Sequence, residues 1–111
     1  MSETPAINWQ QLDLITDKDR ELGTEFILMF LENAHVYVAE LTSTINSPEE
    51  FAKICHKIKG AARSVGVDGV GELALQGEDL AKANHKQVEN DFKNLIEMIV
   101  IELKNIKDTI S

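Results

Sequence analysis

Ala52-Lys53-Ile54-Cys55-His56-Lys57-Ile58-Lys59-Gly60-Ala61-Ala62-Arg63-Ser64-Val65-Gly66 is the stretch whose reading decides the fold. Advancing about 100° per residue from Phe51 puts Phe51, Ile54, Cys55, Ile58, Ala61, Ala62 and Val65 on one apolar side, the pattern of an amphipathic helix. The opposite side carries Ala52, His56, Lys59, Gly60 and Arg63. A solvated face ordinarily carries bulky Lys and Glu. This one has an imidazole, two cations and two positions with little or no side chain. A Gly in a helix interior costs about 1 kcal/mol against Ala. Gly60 lies one turn after His56 on the same face, and the simplest use of that cost is clearance for another surface approaching the imidazole.

On the N-terminal side, Asn46-Ser47-Pro48 breaks the pattern. Ser47 is read as an N-cap, with Pro48 at the first helical position and Glu50 at the third, a capping-box spacing. Before it, a segment from about Asp17 to Ile45 repeats Leu22, Phe26, Met29, Phe30, Ala34, Tyr37, Val38, Leu41 and Ile45 at helical steps. Thr16 or Asp17 is the expected cap, with Asp19 and Glu21 in the first turns. Ile27, Leu28 and Leu31 make its middle apolar almost all round, which fits either a helix contacted on several sides or a partner-docking surface. Residues 1–6 read as a loose polar start. The stretch Ile7 to Ile15 reads as a short helix with Asn8 as its cap.

On the C-terminal side, Gly66 is the expected C-cap glycine. Asp68 starts a further helix to about Asn84, with Val70, Leu73, Ala74, Gly77, Leu80 and Ala81 inward and Gly71, Leu75, Glu78 and Lys82 on a flank. Gly77, in the inner stripe, permits close helix approach. Asn84-His85-Lys86 reads as a turn. The last helix covers about Gln87 to Thr109, with a near-heptad seam of Val88, Phe92, Leu95, Ile96, Ile99, Leu103, Ile106 and Ile110. No strand or hairpin pattern is present. The expectation is an all-α fold, an antiparallel four-helix bundle with a short extra N-terminal helix, in one domain over residues 1–111 with a flexible 1–6.

Composition narrows the function. A net charge of −8 argues against nucleic acid and against an anionic membrane surface, both of which need a basic stripe. One Cys forms no internal disulfide and fits a reducing compartment. The N-terminus lacks the regions of a signal peptide. The longest apolar run, Phe26 to Leu31, is far short of the ~20 residues of a membrane span. A cytoplasmic protein is the reading.

Four chemistries can be weighed. Cys55 and His56 point about 100° apart on a helix, so a thiol–imidazole pair is not suggested, and Cys55 projects to the core. His35, His56 and His85 are 21 and 29 residues apart and fit no metal-ligand pattern. Glu32 with His35 is the only approximation to a di-iron motif, and it stands alone. No phosphate-cradling glycine loop is present, so any phosphoryl group must come from another protein. His56 remains as a phosphoryl acceptor, because a neutral imidazole is a competent nucleophile near pH 7. Lys59 and Arg63, one and two turns on, can offset the added negative charge. Spacing alone leaves an ordinary exposed helix His equally open.

His56-Lys57-Ile58-Lys59-Gly60-Ala61-Ala62-Arg63-Ser64-Val65-Gly66 closely resembles the signature of the histidine-containing phosphotransfer (HPt) domain. That signature is a His, Lys-Gly three and four residues on, then small residues, and a Gly ten after the His. The resemblance covers essentially the whole chain and is nearest to the phosphotransfer domains of bacterial hybrid sensor kinases. Since the chain starts at Met1 and holds only this domain, a free-standing form is expected. The sequence departs from the family pattern at Gly77, usually a large apolar residue, and at Val70, often Leu.

The resemblance implies a helical bundle with an exposed phosphorylatable His and no kinase activity of its own. Such a protein passes phosphoryl groups between aspartates of receiver domains in hybrid sensor kinases and response regulators. No cofactor of its own is implied, since the Mg²⁺ sits on the receiver. By position, His56 is phosphorylated, Lys59 steadies the phosphoryl group and Gly60 leaves room for the receiver. Glu78, 22 residues after His56, would hold the Nδ1 proton and leave Nε2 free. The implied docking face centres on Ala52 and Gly60, with Arg63, Leu75 and Lys82 beside it and some of Leu28 and Leu31. The alternatives are a helical binding module of the same shape without phosphoryl transfer, and a dimerisation bundle.

Overall fold

The computed structural model describes residues 5–83 and 88–110. They form five helices, α1 Trp9–Thr16, α2 Arg20–Ser43, α3 Pro48–Ser64, α4 Asp68–Ala83 and α5 Val88–Ile110, and no strand among the described residues. The turn expected at residues 84–86, with His85, lies outside them. Helix α2 packs on α3 and α5, α4 packs on the same two, and α1 packs on α2; the α3–α4 contact is the most extensive.

The inward stripes expected for α3, α4 and α5 are buried. Phe51, Cys55, Ile58 and Ala62 of α3 meet Val70, Leu73, Ala74 and Gly77 of α4 and Phe92, Leu95, Ile99 and Ile106 of α5 in one core. The Phe51 and Phe92 rings stack with centroids 3.8 Å apart and 11° between planes. Each is fully buried, a contribution of roughly 1.5–3 kcal/mol apiece from area removed from water. The Phe51 ring, with Leu95 and Cys55, fills the space a larger side chain would take at position 77. A Cβ on Gly77 would fall 2.5 Å from Cys55 Sγ and 2.6 Å from Leu95 Cδ2.

Three expectations are corrected. Helix α2 starts at Arg20, and its cap is Asp19, whose side chain accepts from the Leu22 N–H at 3.0 Å. Asp17 and Lys18 both take left-handed backbone, φ 54° and 66°, so neither belongs to a helix. Thr16 is buried and its hydroxyl donates to the Leu12 carbonyl at 2.7 Å, closing α1 instead of opening α2. Second, the α2 stripe holds at Phe30, Ala34 and Leu41, which are buried, and at Phe26, Tyr37, Val38 and Ile45, which pack against the core, but Ile27 is fully buried beside them and Met29 is 60% exposed. Third, Ser47 is the N-cap of α3 with Pro48 at the first helical position, as expected, but its side chain makes no cap hydrogen bond, so the capping box is not closed.

Helix α1 is fastened by Asn8. Its side-chain oxygen accepts from the Gln11 N–H, its Nδ2 donates to Asp68 at 2.9 Å, and its backbone N–H donates to the Gly66 carbonyl at 2.6 Å. Gly66 has φ +73° and a Cβ there would meet the Asn8 carbonyl at 2.9 Å, so the turn after α3 needs glycine on both counts. The Ala6 carbonyl accepts from the Gly69 N–H at 3.3 Å. Arg20 lies 4.5 Å over the Trp9 ring and pairs with Asp13 at 2.9 Å, holding α1 to α2.

Candidate functional site

With Cys55 turned into the core, the next residue is carried about 100° outward. His56 is accordingly exposed over 73% of its side chain. On α4 the same step follows Gly77 and delivers Glu78 to the α3–α4 seam. Its carboxylate reaches two partners: Oε1 lies 2.6 Å from Lys59 Nζ, and Oε2 lies 3.4 Å from His56 Nδ1. Lys59 and Glu78 are largely buried, whereas the imidazole stands out above them.

Burial alone would raise the Glu78 carboxyl. Lys59 outweighs that, with a further contribution from His56, and the group is held below the usual carboxylate range. Glu78 is therefore an anion at neutral pH and can only accept hydrogen bonds. The contact with His56 at 3.4 Å is long, as such contacts commonly are before a reacting partner arrives. Cys55 lies behind this layer. Burial, and secondarily the charge on Glu78, push its thiol up to about 12, so no thiolate forms near neutral pH.

The remaining predicted positions divide into two groups. Ala52 and Gly60 lie one turn either side of His56. Gly60 is exposed, and a Cβ built there meets nothing within 4 Å. Nothing inside the protein therefore requires this glycine, in contrast to Gly77. Leu75 is half-buried and Lys82 exposed, one turn before and after Glu78 on α4. Arg63 goes elsewhere. It lies seven residues beyond His56, about 10 Å along the axis, and its side chain crosses Gly71, with Cγ 3.0 Å from where a Cβ would be. It lines a cavity of about 310 Å³ with Gln11, Asp68 and Glu72. Leu31 lines the groove between α2 and α5 with Val38, Val100 and Leu103, and is not brought to His56. Leu28 is 45% exposed. His35 is exposed on the same side of α2 as Leu31.

Sequence reasoning missed the residue after His56. Lys57 Nζ pairs with Glu40 at 2.9 Å and lies 5.5 Å from the Tyr37 ring centroid, tying α3 to α2 beside the imidazole. Tyr37 and Glu40 stand three apart on α2, but no spacing rule links them to a residue on another helix.

The family model of the Hpt domain matches residues 25–106. The chain belongs to the Hpt domain family. The match takes in all of α3 and α4 and most of α2 and α5, and it leaves α1 outside. No curated protein and no solved structure gives a match. Hpt membership implies histidine phosphotransfer in phosphorelays, as a phosphocarrier rather than a kinase, and interaction with receiver domains. Among the described residues no helix is long and apolar enough to cross a membrane.

Proposed function

We propose that His56 of this Hpt domain accepts a phosphoryl group from a receiver-domain aspartate and passes it to, or takes it back from, the receiver of a response regulator. The observation that carries this is the pairing of exposure with support: His56 is 73% exposed, while Glu78 sits behind its Nδ1 at 3.4 Å. An ionised Glu78 only accepts, so Nδ1 carries the proton and Nε2 presents its lone pair to solvent. Nε2 attacks the phosphorus of the aspartyl phosphate, the P–O bond breaks, and the aspartate leaves with the electron pair. The imidazole gains positive charge and keeps its Nδ1 proton, which stays hydrogen-bonded to Glu78. Lys59 steadies the phosphoryl oxygens; the Mg²⁺ of the step belongs to the receiver, and this chain supplies no cofactor.

The open space at Gly60 and the small Ala52 support a receiver docking around His56, with Leu75 and Lys82 at its edge. Such docking is transient, at or below about 1,200 Å² of buried surface. The mutual contacts of α2, α3, α4 and α5, with short connections between successive helices, support an antiparallel four-helix bundle with α1 added on α2. We place the protein in the bacterial cytoplasm, where such relays run.

The test is incubation with a receiver domain phosphorylated on its aspartate. Wild type acquires acid-labile label and His56→Gln acquires none. Label that survives in His56→Gln, or no transfer from any receiver of the source organism, contradicts the proposal.

A further inference from the structure

All three lysines of α3 are already paired with carboxylates: Lys53 with Glu50 at 3.4 Å, Lys57 with Glu40 at 2.9 Å and Lys59 with Glu78 at 2.6 Å. The third pair is the consequential one. Lys59 is one turn from His56, on the same face, and both it and Glu78 are largely buried. A phosphoryl group on Nε2 adds about −1.5 to −2 of charge at neutral pH. It arrives within reach of the one ammonium that Glu78 holds, and it repels the same carboxylate.

We infer that Lys59 is exchanged between Glu78 and the phosphoryl group, and that Glu78 thereby sets how readily the phosphohistidine gives its phosphoryl group up. This rests on the phosphotransfer reading above and adds a tuning role to it. In the loading step the Nε2–P bond forms, the aspartate leaves with its electron pair, and Lys59 moves from Oε1 of Glu78 to a phosphoryl oxygen. In the unloading step the next receiver's aspartate oxygen bonds to phosphorus. The Nε2–P electron pair returns to the imidazole, and Lys59 returns to Glu78. The carboxylate competes for the cation throughout and keeps the phosphohistidine from becoming a resting state. Glu78 acts through Lys59 and is a positioning residue, apart from its contact with the Nδ1 proton.

A glutamine separates these roles. It accepts the Nδ1 proton as glutamate does, but it carries no charge with which to hold Lys59. The experiment measures the equilibrium partition of phosphoryl group between a receiver domain and this protein for wild type, Glu78→Gln, Lys59→Met and the double variant. Glu78→Gln is expected to shift the partition towards phosphohistidine about tenfold, the size of one charge-assisted hydrogen bond. Lys59→Met shifts it about as far towards the receiver. In the Lys59→Met background the Glu78→Gln shift falls to at most about threefold, because the positive charge gained by the imidazole leaves a net charge of about −1 to repel Glu78 across ~6 Å of water. An unmoved or reversed partition in Glu78→Gln overturns the exchange, as does a full tenfold shift that persists without Lys59. A wild type that takes no phosphoryl group on His56 rejects the function itself, which is a different result from normal transfer with an unmoved partition.

Discussion

Gly77 of α4 lies against the thiol of Cys55 on α3 so closely that a β-carbon there would stand 2.5 Å from Sγ. The next residue along each helix is Glu78 and His56, and these meet at 3.4 Å. The missing side chain in the core and the supported imidazole at the surface are thus one arrangement. The close approach of the two backbones lets a glutamate on α4 reach both the imidazole and the ammonium on α3.

Gly77→Ala should therefore destabilise the fold by about 1–3 kcal/mol, the usual cost of forcing extra volume into a packed core. Urea unfolding measures it. The His56–Glu78 contact should lengthen as the helices part, and phosphoryl transfer should slow even where the variant is fully folded. An unchanged unfolding midpoint would show that the α3–α4 seam has room the geometry denies.

Gly60→Gln should behave in the opposite way. No internal atom lies within 4 Å of a Cβ at that position, so the fold has space for the side chain. Helical circular dichroism should persist, with stability equal to wild type or higher by up to about 1 kcal/mol from helix propensity. Transfer from a phosphorylated receiver should nonetheless fall by at least about tenfold, since the added side chain stands where the partner approaches. Unchanged transfer kinetics would reject the clearance argument.

Glu78 gives a signed pH dependence. Its carboxyl is held below the usual range, because Lys59 and then His56 outweigh the opposing effect of burial. A group whose folded pKa is depressed contributes stability that is complete above its unfolded value, about 4.3. That contribution is lost as pH falls through the lower folded value. Between about pH 5 and about pH 3, wild type should therefore lose about 1 kcal/mol more stability than Glu78→Gln. Urea unfolding at both pH values decides this. Parallel losses in the two proteins would remove the ion pair from the account.

Cys55 should be inert in the native protein. With its thiol pushed up to about 12 by burial and by Glu78, it should not react with iodoacetamide at pH 8 until the chain unfolds. Mass spectrometry with and without urea checks this. Rapid native alkylation would mean that the core opens at the level of His56.

Much of this was legible in the sequence because it depends on one helix at a time. The periodicity from Phe51 to Val65 placed His56 outward and Cys55 inward, and the oddity of Gly60 was visible without any neighbour. The relationships between helices were not. Lys59 and Glu78 were each assigned a part in phosphoryl chemistry, yet not to one another. No periodic rule fixes which α3 residue meets which α4 residue; the backbone approach at Gly77 does. Arg63 was read towards His56 from its shared face, but Gly71 opens a path across α4 that its long side chain takes. The start of α2 was misplaced because Asp17 and Lys18 adopt left-handed backbone without the glycine that would announce it.

The central claim is that His56 carries the phosphoryl group on Nε2, with its Nδ1 proton held by Glu78. The most direct measurement is ³¹P and ¹⁵N NMR of the protein after phosphorylation by a receiver domain, with all histidines ¹⁵N-labelled. The account predicts one phosphoramidate, on Nε2 of His56, with Nδ1 protonated and His35 and His85 unchanged. A phosphoramidate on Nδ1 of His56, or on either of the other histidines, would contradict it.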